Sequence, residues 1–320
     1  MKRKQFIKNI IGMSIVASTK GFPFDTQMEN LFTNDTVDFA SFGAVHLNNT
    51  KLEKSISFWT TIAGLKLRNT TENTAELGTE DKTLIVVHQK ANKPFMNGYS
   101  GLYHVAIHAP NKKEFSRMVQ RLINNNYQFS PTDHTMSKSV YLADPDGITI
   151  EFTLETPERY KRILTENGLW VEDTNGKLHS PSDVLDLDLV LSELDNKNVE
   201  GIVHQDTKIG HFHFYVSNLE TTNEFYKQLG FSQFNHIPQF NYADVGMESN
   251  FKHRIAMNTW HGKNKPTASK ENAGLYYFNL VFQSKEKLES VITKFPNAKK
   301  ENDSFWLNDP TGNLICLKSV

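Results

Sequence analysis

The sequence predicts an α+β fold in which four βαβββ modules form two cupped mixed sheets. Two observations lead to this prediction. A first strand followed by a helix recurs through the chain, and a tight hairpin of the pattern Asp-Pro-x-Gly, at 144–147 and 309–312, closes the second and fourth copies. One such module has an open, curved sheet that cannot cover its own concave face, so the modules must pair.

The first and third modules begin alike. Residues 43–47 (GAVHL) and 210–214 (GHFHF) each predict a first strand, and an amphipathic helix follows in both. Gly64 and Gly230, each followed by a large apolar residue, predict the turn into the next strand.

The second and fourth modules form the other related pair. Residues 101–105 (GLYHV) and 274–278 (GLYYF) predict their first strands, and residues 112–124 and 285–295 predict their helices. In the closing hairpins, proline presets φ and glycine accepts a positive φ, which suits a tight turn between two strands.

Composition excludes several classes of protein. Apolar residues make up 38% of the 320-residue chain and charged residues 22%, as in a soluble globular protein. The chain has 35 Lys and Arg residues and 36 Asp and Glu residues, so no excess of basic residues favours a nucleic-acid partner. Nothing in the composition favours a membrane partner. The single cysteine, Cys316, excludes an internal disulfide and any cysteine-rich metal site, so a metal must be held by histidine and carboxylate.

The N-terminal residues 1–38 are interpreted as a tail or an export signal. Residues 1–8 (MKRKQFIK) are basic and precede a short apolar run, as in a degenerate twin-arginine signal. A cytosolic tail fits equally well, so a cytoplasmic and an exported protein both stay open. The rest is predicted to comprise a first domain at 39–155, a connector at 156–207 and a second domain at 208–320.

The connector is predicted to contain one helix and to play no part in chemistry. Ser180 can cap this helix, and Pro181 suits its first position. Val184, Leu187 and Leu191 then recur at helical spacing, which predicts a helix that begins directly after Ser180.

Two histidines and one carboxylate occupy related positions in the repeats. The equivalent position of the four first strands is filled by Ala44, His104, His211 and Tyr277. The last strand of module two ends on Glu151, where module four has Cys316.

Two imidazoles and one carboxylate form the facial triad that holds non-haem Fe(II) and leaves coordination positions open for chemistry. Each residue also has a simpler interpretation. A strand histidine is commonly a half-buried, hydrogen-bonded side chain, and Glu151 could be an exposed strand end. Their shared position in the repeats favours a metal site formed by His104, Glu151 and His211.

Five stretches, taken in this order, carry a resemblance to a known family: 101–107 (GLYHVAI), 133–137 (DHTMS), 141–151 (YLADPDGITIE), 209–213 (IGHFH) and 253–260 (HRIAMNTW). The sequence is similar to the vicinal oxygen chelate superfamily of glyoxalases, bleomycin-resistance proteins and type I extradiol dioxygenases. Within that superfamily it resembles the four-module bacterial catechol 2,3-dioxygenases, over about residues 41–320.

The resemblance implies a metal ion held by His104, Glu151 and His211. The ion would be Fe(II), with Mn(II) as the alternative, because the same ligands suit both. For these side chains to meet, module two must pair with module three, and module one with module four. His213 lies two residues from His211 on the same strand face and therefore competes with it as a ligand.

The resemblance also implies roles for three further residues. Tyr141 and His134 would hydrogen-bond the substrate oxygens, and His253 would act as acid and base. Tyr141 precedes Glu151 in one hairpin, so both can face inward if the hairpin keeps its register. The simpler interpretations are a core aromatic for Tyr141 and an exposed loop residue for His134.

The implied activity is extradiol cleavage of a catechol-type aromatic diol by O₂. Two other functions stay open, namely another metal-dependent isomerase or lyase of the superfamily and a non-catalytic small-molecule-binding module. The isomerases and lyases typically have a fourth protein ligand, which neither Ala44 nor Cys316 supplies. The binding modules usually lack the metal triad.

Overall fold

Strands dominate the part of the chain that the computed structural model describes, residues 37–320. They form an eight-stranded sheet, a nine-stranded sheet and a small three-stranded sheet. Residues 1–36 of the N-terminal tail or export signal interpreted at 1–38 lie outside the described residues. Within residues 37–320, no helix combines the length and apolar character needed to cross a bilayer.

Each module has the predicted order of one strand, one helix and three strands. Module one comprises β1 (Ala40–Asn49), α1 (Leu52–Ser57), which continues into a π-helical turn (Phe58–Ile62), β2 (Lys66–Thr70), β3 (Thr74–Gly78) and β4 (Thr83–Gln89). Module two comprises β5 (Gly101–His108), α2 (Lys112–Asn124), β6 (Ser130–Asp133), β7 (Ser137–Ala143) and β8 (Thr149–Glu155).

The second half of the chain repeats this order after the connector. The connector contains a 3-10 turn (Pro157–Arg159), β9 (Tyr160–Leu164), β10 (Trp170–Asp173), β11 (Leu178–His179), β12 (Asp183–Val184) and α3 (Leu187–Leu191). Module three comprises β13 (Lys208–Tyr215), α4 (Leu219–Gln228), β14 (Ser232–Ile237), a 3-10 turn (Pro238–Phe240), β15 (Tyr242–Gly246) and β16 (Ile255–Asn258). Module four comprises β17 (Gly274–Phe282), α5 (Lys285–Ile292), β18 (Lys299–Glu301), β19 (Ser304–Asn308) and β20 (Leu314–Ser319).

The predicted pairing of modules is confirmed. The eight-stranded sheet has the order β18-β19-β20-β17-β1-β4-β3-β2 and combines modules one and four. The nine-stranded sheet has the order β12-β6-β7-β8-β5-β13-β16-β15-β14 and combines modules two and three with one connector strand. In each sheet the two modules meet through antiparallel first strands, β1 with β17 and β5 with β13.

The core between the sheets explains which face of β13 is free for a site. Phe212 and Phe214 alternate with His211 and His213 along this strand, so the two pairs face opposite ways. The ring of Phe212 lies 4.5 Å from that of Phe278 on β17, in the other sheet. The apolar face of β13 therefore packs into the core, and the histidine face lines the concave side of its own sheet.

The predicted helix of the connector begins later than expected. Ser180 does not cap it, because Asp183 and Val184 are extended and pair as β12 with β6. The helix starts at Leu187, where the side chain of Asp186 accepts a hydrogen bond from the backbone N–H of Leu189. A strand pairing with the rest of the sheet thus overrides the local helix signal at residues 180–184.

Candidate metal centre

Three adjacent strands of the nine-stranded sheet bring the predicted ligands together. His104 lies on β5, Glu151 on β8 and His211 on β13. In the register of these strands, Ala106 is paired with Glu151 on one side and with His211 on the other. The small alanine side chain thus sits between the two longer ones, and His104 projects from the same face two residues earlier.

The ligand atoms of these side chains are close and buried. Oε2 of Glu151 lies 2.9 Å from Nε2 of His104 and 2.9 Å from Nε2 of His211. The two Nε2 atoms are 3.3 Å apart, and all three side chains are at most 3% exposed. Among residues 37–320, this is the one group of three or more histidine, cysteine or acidic side chains that could share a metal ion.

The electrostatics of the group suit a cation. Burial lowers the pKa of His211 well below its usual value, so its imidazole is neutral. Burial alone would raise the pKa of Glu151, but the facing imidazoles of His211 and His104 hold it well below its usual range, so the carboxylate is ionised. Neutral imidazole and ionised carboxylate are the forms in which these side chains bind metals.

The spacing of the donors also fits a divalent transition metal. Metal bonds to imidazole nitrogen and carboxylate oxygen are about 2.1 Å long, so ligands at right angles to each other are about 3 Å apart. The three separations of 2.9, 2.9 and 3.3 Å match this value. The residues therefore fit a metal ion held on one face.

His213 does not join this group. Its Nε2 accepts a hydrogen bond from Nδ2 of Asn258 at 2.8 Å, so the lone pair of that nitrogen is already used. His213 instead lines the cavity beside the candidate ligands, with its ring 5.1 Å from that of His104.

Tyr141 and His134 lie in the same cavity and contact each other. Nδ1 of His134 lies 2.6 Å from the carbonyl oxygen of Pro181, which can only accept, so the imidazole proton is on Nδ1. Nε2 of His134 then accepts a hydrogen bond from the Tyr141 hydroxyl at 2.8 Å. Burial, followed by the charge of Glu151, raises the pKa of Tyr141 well above its usual value and keeps the phenol protonated. Tyr141 also pairs directly with Glu151 across β7 and β8, so both face inward as predicted.

His253 lines the cavity on the side of module three. Its Nδ1 donates a hydrogen bond to Oδ2 of Asp244 at 2.8 Å, and the hydroxyl of Tyr242 donates to the same oxygen at 2.9 Å. Its ring centroid lies 4.7 Å from that of His211. The predicted acid–base histidine is thus fixed by a buried carboxylate next to a candidate metal ligand.

The connector contributes to this cavity, contrary to the prediction that it plays no part in chemistry. The carbonyl of Pro181 orients His134, and several connector side chains form an apolar wall. The wall consists of Ile163, Leu169 and Val171 from the connector, together with Ile237, Phe240 and Trp260 from module three. Extended connector strands beside the site, rather than a solvated spacer, explain the difference.

Several residues of the site were not predicted from the sequence. His108 and Glu155 form hydrogen bonds behind His211, and Asp244 orients His253. His108 could have been found, because it lies on β5 four residues after His104 and therefore on the same strand face. Asp244 has no such signal, since its role depends on how β15 pairs with β16.

The corresponding face of the other sheet has a different set of side chains. His46 and His88 lie with Nδ1 and Nε2 2.9 Å apart, and the ring of His46 stacks on Tyr277 at 3.8 Å. Cys316 is buried at the position equivalent to Glu151. No carboxylate joins the two imidazoles in this part of the described chain, so no group of three ligands forms there.

Comparisons with known proteins agree with this fold. The model of the Glyoxalase/Bleomycin resistance protein/Dioxygenase superfamily matches residues 41–152. A catechol-2,3-dioxygenase of Bacillus subtilis (strain 168) is 28% identical over 280 residues, which span 84% of this chain and 93% of that protein.

Two solved structures share the fold. A Bacillus subtilis protein provisionally described as a dioxygenase has a TM-score of 0.54 at 11% identity, covering 87% of this chain and 85% of its own. A variant of glyoxalase I from Zea mays has a TM-score of 0.52 at 14% identity, covering 88% of this chain and 94% of its own.

The superfamily match covers modules one and two, and the match to the Bacillus subtilis enzyme extends over both halves. The sheets have the expected module pairing, and three buried side chains could hold a metal. These findings support an enzymatic role. Over residues 41–152, the chain is similar to the glyoxalase, bleomycin-resistance and dioxygenase superfamily.

Proposed function

We propose that this protein is a non-haem Fe(II)-dependent extradiol dioxygenase that cleaves a catechol-type aromatic diol with O₂. The observation that carries the proposal is the buried group of His104, Glu151 and His211, which supplies three ligands on one face, with no fourth histidine, cysteine or acidic side chain joining it within residues 37–320. Three protein ligands on one side would leave positions of a bound ion open for the two oxygens of a diol and for O₂. The name of the Bacillus subtilis relative supports the same reaction.

An Fe(II) ion held by these ligands would supply a Lewis acid that orders the diol and O₂ side by side and mediates electron transfer between them. Mn(II) is the alternative ion, because the same ligands suit it. The absence of a fourth ligand in the described part of the chain argues against the isomerase and lyase alternatives. The buried ligand group argues against a binding module without a metal.

The protein's own residues would handle the protons and the position of the diol. His253, fixed by Asp244, accepts the proton of a diol hydroxyl and returns a proton later in the reaction. The hydroxyl of Tyr141 donates to His134, so its free lone pair can accept a hydrogen bond from the diol. The aromatic ring of the diol lies against the apolar wall.

Metal analysis tests the ligand assignment. After anaerobic loading with Fe(II) and removal of free metal, the wild-type protein should retain iron, whereas His211→Ala and Glu151→Ala should not. His46→Ala is the matched control, because it removes a strand histidine from the corresponding face of the other sheet. Full iron content in His211→Ala or Glu151→Ala would show that the ligands are assigned incorrectly.

A panel of catechols tests the reaction. The iron-loaded protein should consume O₂ and form a yellow ring-cleavage product with at least one catechol, and the metal-free protein should not. If the iron-loaded protein retains its metal but consumes no O₂ with any catechol, extradiol cleavage is not its function.

A further inference from the structure

A buried chain of hydrogen bonds runs from His211 away from the cavity. Nδ1 of His211 lies 2.7 Å from Nε2 of His108, and Nδ1 of His108 lies 2.7 Å from Oε1 of Glu155. Oε1 of Glu155 also accepts from Arg254 at 2.8 Å and lies 3.4 Å from the ammonium group of Lys208. We call His108 and Glu155 the relay. Neither residue lines the cavity.

The direction of each hydrogen bond in the relay follows from the ionised end. Burial alone would raise the pKa of Glu155, but the hydrogen bond from His108 and the charges of Arg254 and Lys208 hold it well below its usual range. An ionised carboxylate only accepts, so Nδ1 of His108 must donate to it. The proton of the His108 ring is on Nδ1, so its Nε2 accepts at the 2.7 Å contact with Nδ1 of His211. Nδ1 of His211 therefore carries the proton of that ring, and its Nε2 has none.

The surrounding residues are shaped to hold the relay. Gly210 leaves the space for the His108 ring, because a Cβ at this position would lie 2.1 Å from the ring. Arg254 is buried and donates both to Glu155 and to the carbonyl oxygen of Gly210. The ring of Phe251 packs against His108 with centroids 5.4 Å apart.

The other candidate histidine ligand has no such support. Nδ1 of His104 is buried, and the part of the chain that the structure describes offers it no hydrogen-bond partner. The two imidazoles of the candidate metal group thus differ, since a carboxylate supports His211 through His108 and no side chain among residues 37–320 supports Nδ1 of His104 in this way.

We propose that His108 and Glu155 are positioning residues for the metal centre, which fix His211 in the tautomer that presents an unprotonated Nε2 and increase the electron density on that nitrogen. A carboxylate behind a metal-binding imidazole raises its basicity as a ligand. The relay therefore makes the three ligands bind a divalent ion more tightly and lowers the potential at which Fe(II) is oxidised. This inference rests on the proposed metal site but not on the ring-cleavage reaction.

Metal affinity is the first measurement. Dissociation constants for Co(II) and Fe(II) are obtained anaerobically by competition with a coloured chelator. His108→Phe keeps the aromatic volume but removes the acceptor, and it should weaken binding about 10- to 100-fold. His108→Gln keeps an acceptor oxygen for the proton on Nδ1 of His211, so it should recover part of the loss.

Controls separate this role from simple packing. His46→Gln, in the other sheet, should leave the dissociation constants unchanged. Thermal unfolding of the metal-free variants shows whether they fold. If His108→Phe is folded and binds both metals as the wild type does, the proposal is overturned. It is also overturned if folded His108→Gln binds metal as weakly as His108→Phe, because the hydrogen-bond acceptor would then not matter.

Glu155→Gln keeps the test decisive if His108→Phe does not fold. This variant removes the charge at the end of the relay, so metal should bind less tightly and the Fe(III)/Fe(II) reduction potential should rise. Unchanged affinity and potential in Glu155→Gln would contradict the proposal. If the variants show that metal affinity depends on the relay, but the iron-loaded wild type cleaves no catechol, the proposed function is refuted and the proposed role of the relay still holds.

Discussion

Three histidines near the candidate site share one arrangement of their ring nitrogens. In His134, His253 and His108, Nδ1 faces an oxygen that can only accept, supplied by a backbone carbonyl or a carboxylate. In each ring Nδ1 is therefore the donor, while Nε2 of His134 faces the Tyr141 hydroxyl and Nε2 of His108 faces Nδ1 of His211. This arrangement lets buried and half-buried imidazoles present a defined lone pair without relying on solvent.

Substitution of His253 tests the acid–base role. His253→Gln retains a polar side chain but cannot transfer the proton, so kcat should fall by at least about 100-fold while the iron content stays at the wild-type level. Steady-state O₂ uptake and metal analysis measure the two quantities. His236→Gln, which changes an exposed histidine on β14, should retain the wild-type kcat. Wild-type turnover in His253→Gln would exclude this role.

At the scale of secondary structure elements, the connector supplies half of the apolar wall of the cavity. Its side chains Ile163, Leu169 and Val171 are apolar, and no Lys or Arg of the described chain lines the cavity. A carboxylate on the substrate would lose its hydration there without gaining a cation, which is costly. We therefore expect the wall to accept hydrogen or an alkyl group on the catechol ring and to disfavour a charged group.

Comparison of substrates measures this preference. The kcat/KM for catechol or a methylcatechol should exceed that for 3,4-dihydroxybenzoate by at least about 10-fold. Leu169→Arg adds a cation to the wall and should therefore reduce the ratio between the two kcat/KM values. Leu178→Arg adds the same charge to an exposed connector position outside the cavity and should leave the ratio unchanged. A wild-type preference for the carboxylated substrate would contradict the predicted role of the wall.

The elements show which features a sequence can predict. Modules were predictable because repeats, strand periodicity and Asp-Pro-x-Gly turns are local signals, and Gly147 and Gly312 indeed have positive φ. The start of α3 was not, because pairing of β12 with β6 decides the conformation of Asp183 and Val184. A single sequence gives no indication of that contact.

The same distinction applies to the site. His104, Glu151 and His211 could be selected because they occupy equivalent positions in the repeats, and the structure brings their ligand atoms together. The roles of Tyr141, His134 and His253 stay predictions. Asp244 could not be selected from the sequence, because its role depends on the side chain packed against it, whereas the spacing of His108 from His104 on β5 is a signal that the sequence contains.

At the scale of the whole molecule, the closing hairpins connect the modules. Nδ2 of Asn49, on β1, donates to Asp144 at 2.6 Å and to Asp146 at 3.0 Å in the hairpin of module two. The hydroxyl of Tyr226, in module three, donates to Asp309 of module four at 2.9 Å. Each hairpin thus links the two large sheets through a buried carboxylate.

Asp144 gives the stability a measurable pH dependence. Burial raises the pKa of Asp144 from 3.8 to about 6, so the folded state binds a proton more readily than the unfolded state. Its contribution to the free energy of unfolding therefore increases as the pH falls from about 6 to about 4, by at most roughly 3 kcal/mol. This contribution is lost as the pH rises through about 6.

The variant Asp144→Asn removes this proton-linked contribution. The free energy of unfolding of the wild type minus that of Asp144→Asn should increase between pH 7 and pH 4.5, as measured by urea denaturation. Asp303→Asn, at an exposed turn, should show a smaller change than Asp144→Asn. A difference for Asp144→Asn that does not vary with pH would contradict the raised pKa.

The division into domains at 39–155 and 208–320 stays a prediction, and fragments can test it. Because both large sheets take strands from both halves, we expect neither 37–207 nor 208–320 to unfold cooperatively when expressed alone. Co-expression should restore a cooperative transition and metal binding. Circular dichroism during denaturation and metal analysis measure these outcomes, and a cooperative transition of an isolated fragment would show an independent domain.

The pairing of β1 with β17 also has a consequence for biosynthesis. Ala40 lies opposite Phe282, so β1, which can pair early with β4, waits for its second neighbour until most of the polypeptide has left the ribosome. His104 likewise waits for β13 before it can share an ion with His211. A translation product that stops short of residue 211 therefore cannot assemble the candidate metal-binding group of His104, Glu151 and His211.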